Sequence, residues 1–249
     1  MRHFALIGRS LTHSYSKSLF DAQGFADADY RLCAMPSLDG LRRWVEEERI
    51  EGFNVTNPYK REVIPFLDAL SPEAEAIGAV NCVVVVQGRL VGHNTDAPAF
   101  RQTLVGIPQL QDAYILGTGG AARAVAYALQ QMEVPCTFVS RTPNERKSSH
   151  PGWEVVGYEE LSSLCFPHSM LLVNATPVGT YPDIDGLPFD LSTLRAPLST
   201  FHCYDLVYNP SPTAWLRQAA ALGATTKDGL EMLRLQAAMS WHLWHLEFI

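Results

Sequence analysis

The stretch "YILGTGGAARAV", residues 114–125, constrains the fold more than any other part of the chain. A β-rich run stops at Gly117, a glycine turn follows, and alanine-rich helical sequence starts at once. Strand, tight turn and helix in that order open a parallel βαβ unit. Gly117 suits the tight turn, Gly119 lets backbone come close to an anion, and Ala122 is small enough for helix–sheet packing. The N–H groups at the helix start then face that anion. In this context the turn reads as a pyrophosphate seat for a dinucleotide. The plain alternative is a strand–helix connection with no ligand.

The flanking sequence extends the α/β pattern. "CTFVSRT", "MLLVNATPVG" and "TFHCYDLVYNP" read as strands and "TAWLRQAAALG" as a helix, an alternation that argues a parallel sheet with crossover helices. In the first half, "HFALIG", "DYRLCAMP" and "GFNV" read as strands. "SLDGLRRWVEEERI" has helical spacing, with Leu41, Trp44 and Val45 on one face. "PYKREVIPFLDAL" reads as a helix opened by Pro58, and "AVNCVVVVQGRLVGHN" as a hairpin across "QGR". "THSYSK" reads as extended, which puts Ser14 and Ser16 on one face. "RTPNERKSSHPG" is expected to be a mobile loop, and "DGLEMLRLQAAMSWHLWHL" a closing helix with Leu230, Leu233, Ala237, Trp241 and Trp244 near one face. The texture changes near residue 98.

Composition removes several function classes. Of 249 residues 47% are hydrophobic and 18% charged, so the chain can bury a sizeable core. The net charge of −7 and the absence of a basic stripe with interleaved aromatics argue against nucleic acid, while a local positive pocket can still hold a small anion. The apolar run in "MRHFALIGRS" is too short for a secretory signal, and no stretch is long enough for a membrane helix. Five scattered cysteines with no C-x-x-C pair suit a reduced, cytoplasmic chain. His242 and His245 stand three apart, but with no third ligand near and tryptophans between them packing is favoured over a metal, and no metal is expected.

Two groups of polar residues carry the chemistry. Strands that bind NAD usually end in an acid that holds the ribose 2′-hydroxyl. Here the strand after the glycine turn ends in Ser140, Arg141 and Thr142, with Arg146 and Lys147 beyond, a set that suits a 2′-phosphate and hence NADP(H) over NAD(H). The first half supplies Ser14 and Ser16, then Asn54, Thr56 and Lys60 in "NVTNPYK", Asn81 in "GAVNC", and Asn94 and Asp96 in "GHNTDAP". Singly these are turn and cap residues. Together they offer hydroxyls, amides, one cation and one carboxylate, a lining for a small polyhydroxylated acid.

The series "HSYS", "NVTNPYK", "GAVN", "GHNTDA", "GTGGAARA", "SRT", "NATPVG", "DLVYNPSPTAWL" and "DGLEMLRLQAA" resembles the shikimate dehydrogenase family, in the family's order and almost from end to end. The resemblance implies NADPH-dependent reduction of 3-dehydroshikimate to shikimate, in aromatic amino-acid biosynthesis. It implies two α/β domains facing a cleft: a substrate domain, 1–98, completed by the C-terminal helix at 229–249, and a Rossmann-like NADP domain, 99–228. Ser14 and Ser16 are then expected to bind the substrate carboxylate, with Tyr208 helping at that end. Thr56, Asn81 and Gln236 hold ring hydroxyls, and Lys60 and Asp96 form the catalytic pair. Gly117, Gly119, Gly120 and Ala121 lie under the pyrophosphate, Ser140, Arg141 and Thr142 meet the 2′-phosphate, and Thr176 and Gly229 line the path to the nicotinamide. Lys60 is either the acid that supplies the proton or an electrostatic clamp on the oxygen. The partner is a small molecule, with neither nucleic acid nor membrane, and the assembly a monomer or homodimer.

The chain departs from the family pattern at Lys17, where Pro is common, at Ser140, where Asn is usual, and at Glu145, where a second arginine often stands. A sibling enzyme that prefers quinate or an amino analogue of shikimate, or that uses NAD, therefore stays open. A non-catalytic sensor of a ring acid is the rival of another class. The presence of both Lys60 and Asp96 argues against it.

Overall fold

Two six-stranded sheets organise the chain, one in each of two units. The computed structural model describes residues 1–12, 14–107, 110–149, 152–164 and 169–245, with backbone alone at 147–149. The first unit is Met1–Ala99 with Leu233–Ile249, and the second is Phe100–Met232.

In the first unit, β1 (Arg2–Gly8), β2 (Ala28–Ala34) and β3 (Ile50–Val55) run parallel, with β1 central. The hairpin β5 (Cys82–Val86) and β6 (Arg89–His93) adds antiparallel to β3, and the short β4 (Ala69–Leu70) closes the far edge, giving the order β2-β1-β3-β5-β6-β4. The period-2 pattern of β1 feeds two cores. Ala5 and Ile7 pack with Leu41 and Val45 of α2 (Leu41–Glu47), whereas Phe4 and Leu6 pack with Ala237, Trp241 and Trp244. All three of these last residues belong to the chain's closing segment, whose helix, α10, spans Leu230–Leu243.

Three expectations are corrected in detail. The segment after Pro58 is not one helix: α3 is only Tyr59–Glu62, a single 3₁₀ turn follows at Ile64–Phe66, and Ala69–Leu70 is strand. Pro65 lacks the N–H that a continuing helix needs, and Asp68 bonds Leu90 of β6 instead, through its N–H to the Leu90 carbonyl and its carboxylate to the Leu90 N–H. Ser16 is not extended but opens α1 (Ser16–Asp21), with Tyr15 before it already in helical conformation. Finally, "RTPNERKSS" is helical as α7 (Pro143–Ser149), with Pro143 at the first position and Glu145 in the first turn; His150 and Pro151 lie outside the described residues. Among the described residues four α-helices were not anticipated: α1, α4 (Pro72–Ile77), which is capped by the Ser71 hydroxyl, α5 (Asp96–Thr103) and α8 (Tyr158–Ser163).

The second unit is a fully parallel sheet. Its strands are β7 (Asp112–Leu116), β8 (Cys136–Val139), β9 (Glu154–Val156), β10 (Met170–Asn174), β11 (Phe201–Asp205) and β12 (Thr225–Lys227). The spatial order β12-β11-β10-β7-β8-β9 makes β7 the first strand of a doubly wound sheet, with α6 (Gly120–Gln131) crossing to β8. The order reverses between β7 and β10, where open parallel sheets bind ligands at the carboxyl ends of their strands.

Candidate active site

In the first unit a lysine and a carboxylate meet under cover. β3 ends at Val55, whose N–H donates to the Asn81 carbonyl, and the Thr56 N–H goes to Ile7. These bonds fix the segment that Pro58 turns into α3. Lys60, in the first turn, places Nζ 2.6 Å from Asp96 Oδ2, with side-chain exposures of 19% and 6%. Asp96 opens α5 (Asp96–Thr103), and Asn94 Oδ1 accepts the N–H groups of both Asp96 and Ala97.

Asn81 locks the pair. Its Oδ1 accepts the Thr95 N–H at 2.7 Å, and its Nδ2 lies 2.9 Å from Asp96 Oδ1, 2.9 Å from Thr95 Oγ1 and 3.3 Å from Gln236 Oε1. An amide nitrogen has two protons for these three acceptors. The two shorter contacts use them, so the Gln236 oxygen is the acceptor most open to a ligand hydroxyl. Beneath lies a second layer: Tyr30 Oη donates to Asn54 Oδ1, Asn54 Nδ2 donates to the Asn81 carbonyl and to Ser240 Oγ, and Ser240 Oγ lies 3.3 Å from Thr95 Oγ1. Ser240 and Gln236 are one turn apart on α10, so the C-terminal helix supplies both a support and a rim. Tyr30 and Ser240 lie in no motif of the sequence, and Thr95 stands inside "GHNTDA" between the two residues that carry its assigned chemistry.

Ser14 and Ser16 form a separate pair, with hydroxyls 3.2 Å apart and Ser14 Oγ accepting the Ser16 N–H. Lys17, the unusual neighbour, is held by an ion pair to Asp21 one turn on. Thr56 is half-buried; its methyl lies over Gly8, where a Cβ would sit 2.6 Å from it. No hydrogen bond links the serine pair or the Thr56 side chain to the Lys60 cluster among the described residues.

The second unit holds the glycine turn. Gly117 has φ +103, a backbone that a side chain strains, and a Cβ there would come 3.0 Å from Thr176 Cγ2. The turn after β7 and the loop after β10 are therefore in contact. Gly119 is extended, no side chain caps α6, and a Cβ on Gly119 would meet nothing within 4 Å. Open space over the uncapped start of a twelve-residue helix, at Gly120 and Ala121, fits a pyrophosphate. At the end of β8, Ser140 is buried and its Oγ accepts the Thr142 N–H, a turn that leaves Arg141 and Thr142 exposed. Arg146 is exposed one turn along α7, and the Lys147 side chain lies outside the described residues. An arginine in that place suits a phosphate rather than a bare ribose.

Thr176 Oγ1 and N–H both donate to Asn174 Oδ1, and Gly229 donates its N–H to the Val207 carbonyl. A Cβ on Gly229 would overlap the Leu206 carbonyl, so only glycine fits that approach. Tyr208, half-buried, follows β11 in this unit. His242 and His245 are both exposed, and among the described residues no group of three or more His, Cys, Asp or Glu side chains is placed to hold a metal.

Comparison with known proteins extends the picture. Residues 6–83 match the family model described as shikimate dehydrogenase substrate binding domain. The chain is 37% identical over 255 residues to shikimate dehydrogenase (NADP(+)) of Thermus thermophilus, covering 98% of this chain and 92% of that protein. The crystal structure of shikimate 5-dehydrogenase from Thermus thermophilus in complex with NADP(H) and shikimate matches with a TM-score of 0.85 at 36% identity, over 100% of this chain and 95% of that one. Quinate dehydrogenase from Corynebacterium glutamicum in complex with NAD matches with a TM-score of 0.82 at 29% identity, over 98% and 93%. By motif order, by identity over almost its full length and by fold, the chain belongs to the shikimate dehydrogenase family.

Proposed function

We propose that this protein interconverts shikimate and 3-dehydroshikimate with NADP(H). The observation that carries the reading is the Lys60–Asp96 pair, 2.6 Å apart and pinned by Asn81. A binding module needs neither a covered ammonium nor a carboxylate oriented on it. When bound, the cofactor supplies or accepts the hydride. In reduction, negative charge grows on the substrate oxygen, and the Lys60 ammonium stabilises that charge and stands ready to supply its proton. Asp96 orients Lys60. Ser14 and Ser16 offer paired hydroxyls to the ring carboxylate, with Tyr208 at the same end. Thr56, Asn81 and Gln236 meet the ring hydroxyls.

The cofactor reading rests on the second unit. Gly117, Gly119, Gly120 and Ala121 receive the pyrophosphate. Arg141 and Thr142 meet the 2′-phosphate on a turn that Ser140 shapes. Thr176 and Gly229 line the nicotinamide end. On this reading the first unit is the substrate domain and the second the NADP domain, in a cytoplasmic monomer or homodimer. The free thiols of Cys33, Cys82, Cys136 and Cys203 support a reducing compartment; burial pushes the last three up to about 12. No helix among the described residues is long and apolar enough to cross a membrane.

The test follows absorbance of reduced nicotinamide with shikimate and NADP, then with NAD, with quinate, and with Lys60→Ala. Rapid reduction of NADP by shikimate is expected, with kcat lower by about 10²–10⁴-fold in the variant. Preference for quinate or NAD would keep the mechanism and move the protein to the sibling activity; the exposed Glu145 in the first turn of α7 bears on the NAD arm alone. Silence from every pair, with shikimate still bound, would leave a sensor of ring acids.

A further inference from the structure

Asp205 is fully buried at the carboxyl end of β11 and takes no part in the chemistry above. Three donors converge on it. Asn174 Nδ2 lies 2.8 Å and the Val207 N–H 3.0 Å from Oδ1, and Thr213 Oγ1 lies 2.7 Å from Oδ2. Thr213 is itself fully buried, and its oxygen accepts the Leu216 N–H at the start of α9 (Ala214–Ala221), so its own proton is free to point at Asp205. The carboxylate is acceptor-only and has room for all three donors.

Two of these donors, Asn174 and Val207, lead to segments assigned to the cofactor. Asn174 turns its oxygen to the hydroxyl and N–H of Thr176, and its nitrogen also reaches the Val178 carbonyl. Val207 accepts the Gly229 N–H and is followed by Tyr208. Burying a carboxylate is costly unless every lone pair is used. A pair of neutral side chains could join two strand ends more cheaply. What the carboxylate adds is a common acceptor that sets both loops at once, beside the strand ends where the sheet order reverses.

We infer that Asp205 is a positioning residue for the cofactor, which through Asn174 and Val207 holds the Thr176 loop and the Gly229 segment in a single arrangement, with Thr213 as its anchor. The inference rests on the NADP reading. Asp205→Asn keeps the shape but leaves one amide oxygen for three donors, so one donor must be lost.

The test is isothermal titration of the whole protein with NADP and, separately, with shikimate, alongside thermal melting and steady-state kinetics. Asp205→Asn is expected to weaken NADP binding and raise its KM by about tenfold or more, with shikimate affinity unchanged and melting not lowered in step. Thr213→Val should weaken NADP binding in the same sense, and Thr213→Ser should restore it. If the unmodified protein fails to bind NADP, the cofactor reading falls and this inference with it. If it binds NADP while Asp205→Asn and Thr213→Val bind it equally well, this inference alone is overturned. Should Asp205→Asn fail to fold, the two Thr213 variants decide by the same comparison. A loss of shikimate and NADP binding in parallel with melting would mark Asp205 as a structural residue and overturn the inference too.

Discussion

At the scale of single residues, the two buried carboxylates have different neighbours. Asp96 faces a cation and one amide. Asp205 faces only neutral donors, so burial dominates and pushes its carboxyl up to about 6; the bonds from Thr213, Val207 and Asn174 pull the other way and the charge of Asp228 adds to the rise. The sign of the consequence is fixed. Between the ordinary value of 3.8 and about 6 the native state keeps a proton that the unfolded chain has released, so stability falls as pH rises through this window. The penalty is on the order of 3 kcal/mol once the carboxylate is fully charged. Asp205→Asn carries no such charge, so its melting temperature should gain on the native protein between pH 4 and about 7 and level off above. Parallel melting curves across that range would remove Asp205 as the source. Lys60, Asp96 and Asn81 were legible in the sequence because they stand in dense polar motifs. Ser240 and Tyr30 were not, since no motif marks them, and Thr95 and Asp205, though inside "GHNTDA" and "DLVYNPSPTAWL", have nothing local that tells a buried, paired side chain from an exposed one.

At the scale of elements, the glycine turn was readable because its chemistry is local. A strand, a left-handed glycine and a helix start can be recognised from twelve consecutive residues. Helix α3 was not, since its end depends on Pro65 and on Asp68 finding β6, a partner more than twenty residues away in sequence. Helix α7 reads as a loop in the sequence because its residues are almost all polar and offer no apolar period; Asn144, Glu145 and Arg146 are exposed, so there is no burial pattern to read at its start. The turn into α7 is set by the buried Ser140 hydroxyl, which frees Arg141 at the end of β8. Arg141 makes no ion pair among the described residues, so its guanidinium is available to a phosphate. Arg141→Ala should raise the KM for NADP by about 10–100-fold, the loss of a charged hydrogen bond, and leave the KM for NAD almost unchanged. Equal effects on both cofactors would mean that Arg141 does not read the 2′-phosphate. The contrast should shrink as salt is raised, because an exposed charge is screened.

At the scale of the whole molecule, the chain leaves its first unit at residue 99 and returns at 233 to finish it. The returning segment is part of the core. Trp244 stacks on Phe4 with ring centroids 4.8 Å apart, its Nε1 donates to the Val83 carbonyl at 3.0 Å, and it lies so close over Gly52 that no side chain fits between. The Arg2 guanidinium donates to the Trp244 carbonyl, which fastens the same segment to the first strand. Ser240 and Gln236, one and two turns earlier, join the network around Asn81. The site in the first unit is thus completed by α10, and its geometry depends on a packing contact two turns on from Gln236. Trp244→Ala removes the stack and the indole bond together and should cost about 3–5 kcal/mol. The second unit has its own core, built around Leu116, Leu172, Phe201 and Trp215, and contains none of these residues. The variant should therefore lose shikimate affinity and melt earlier while NADP affinity in titration stays close to that of the native protein. If both ligands are lost together, the two units fold as one cooperative block, and the return of the chain stabilises the whole molecule rather than the substrate domain alone.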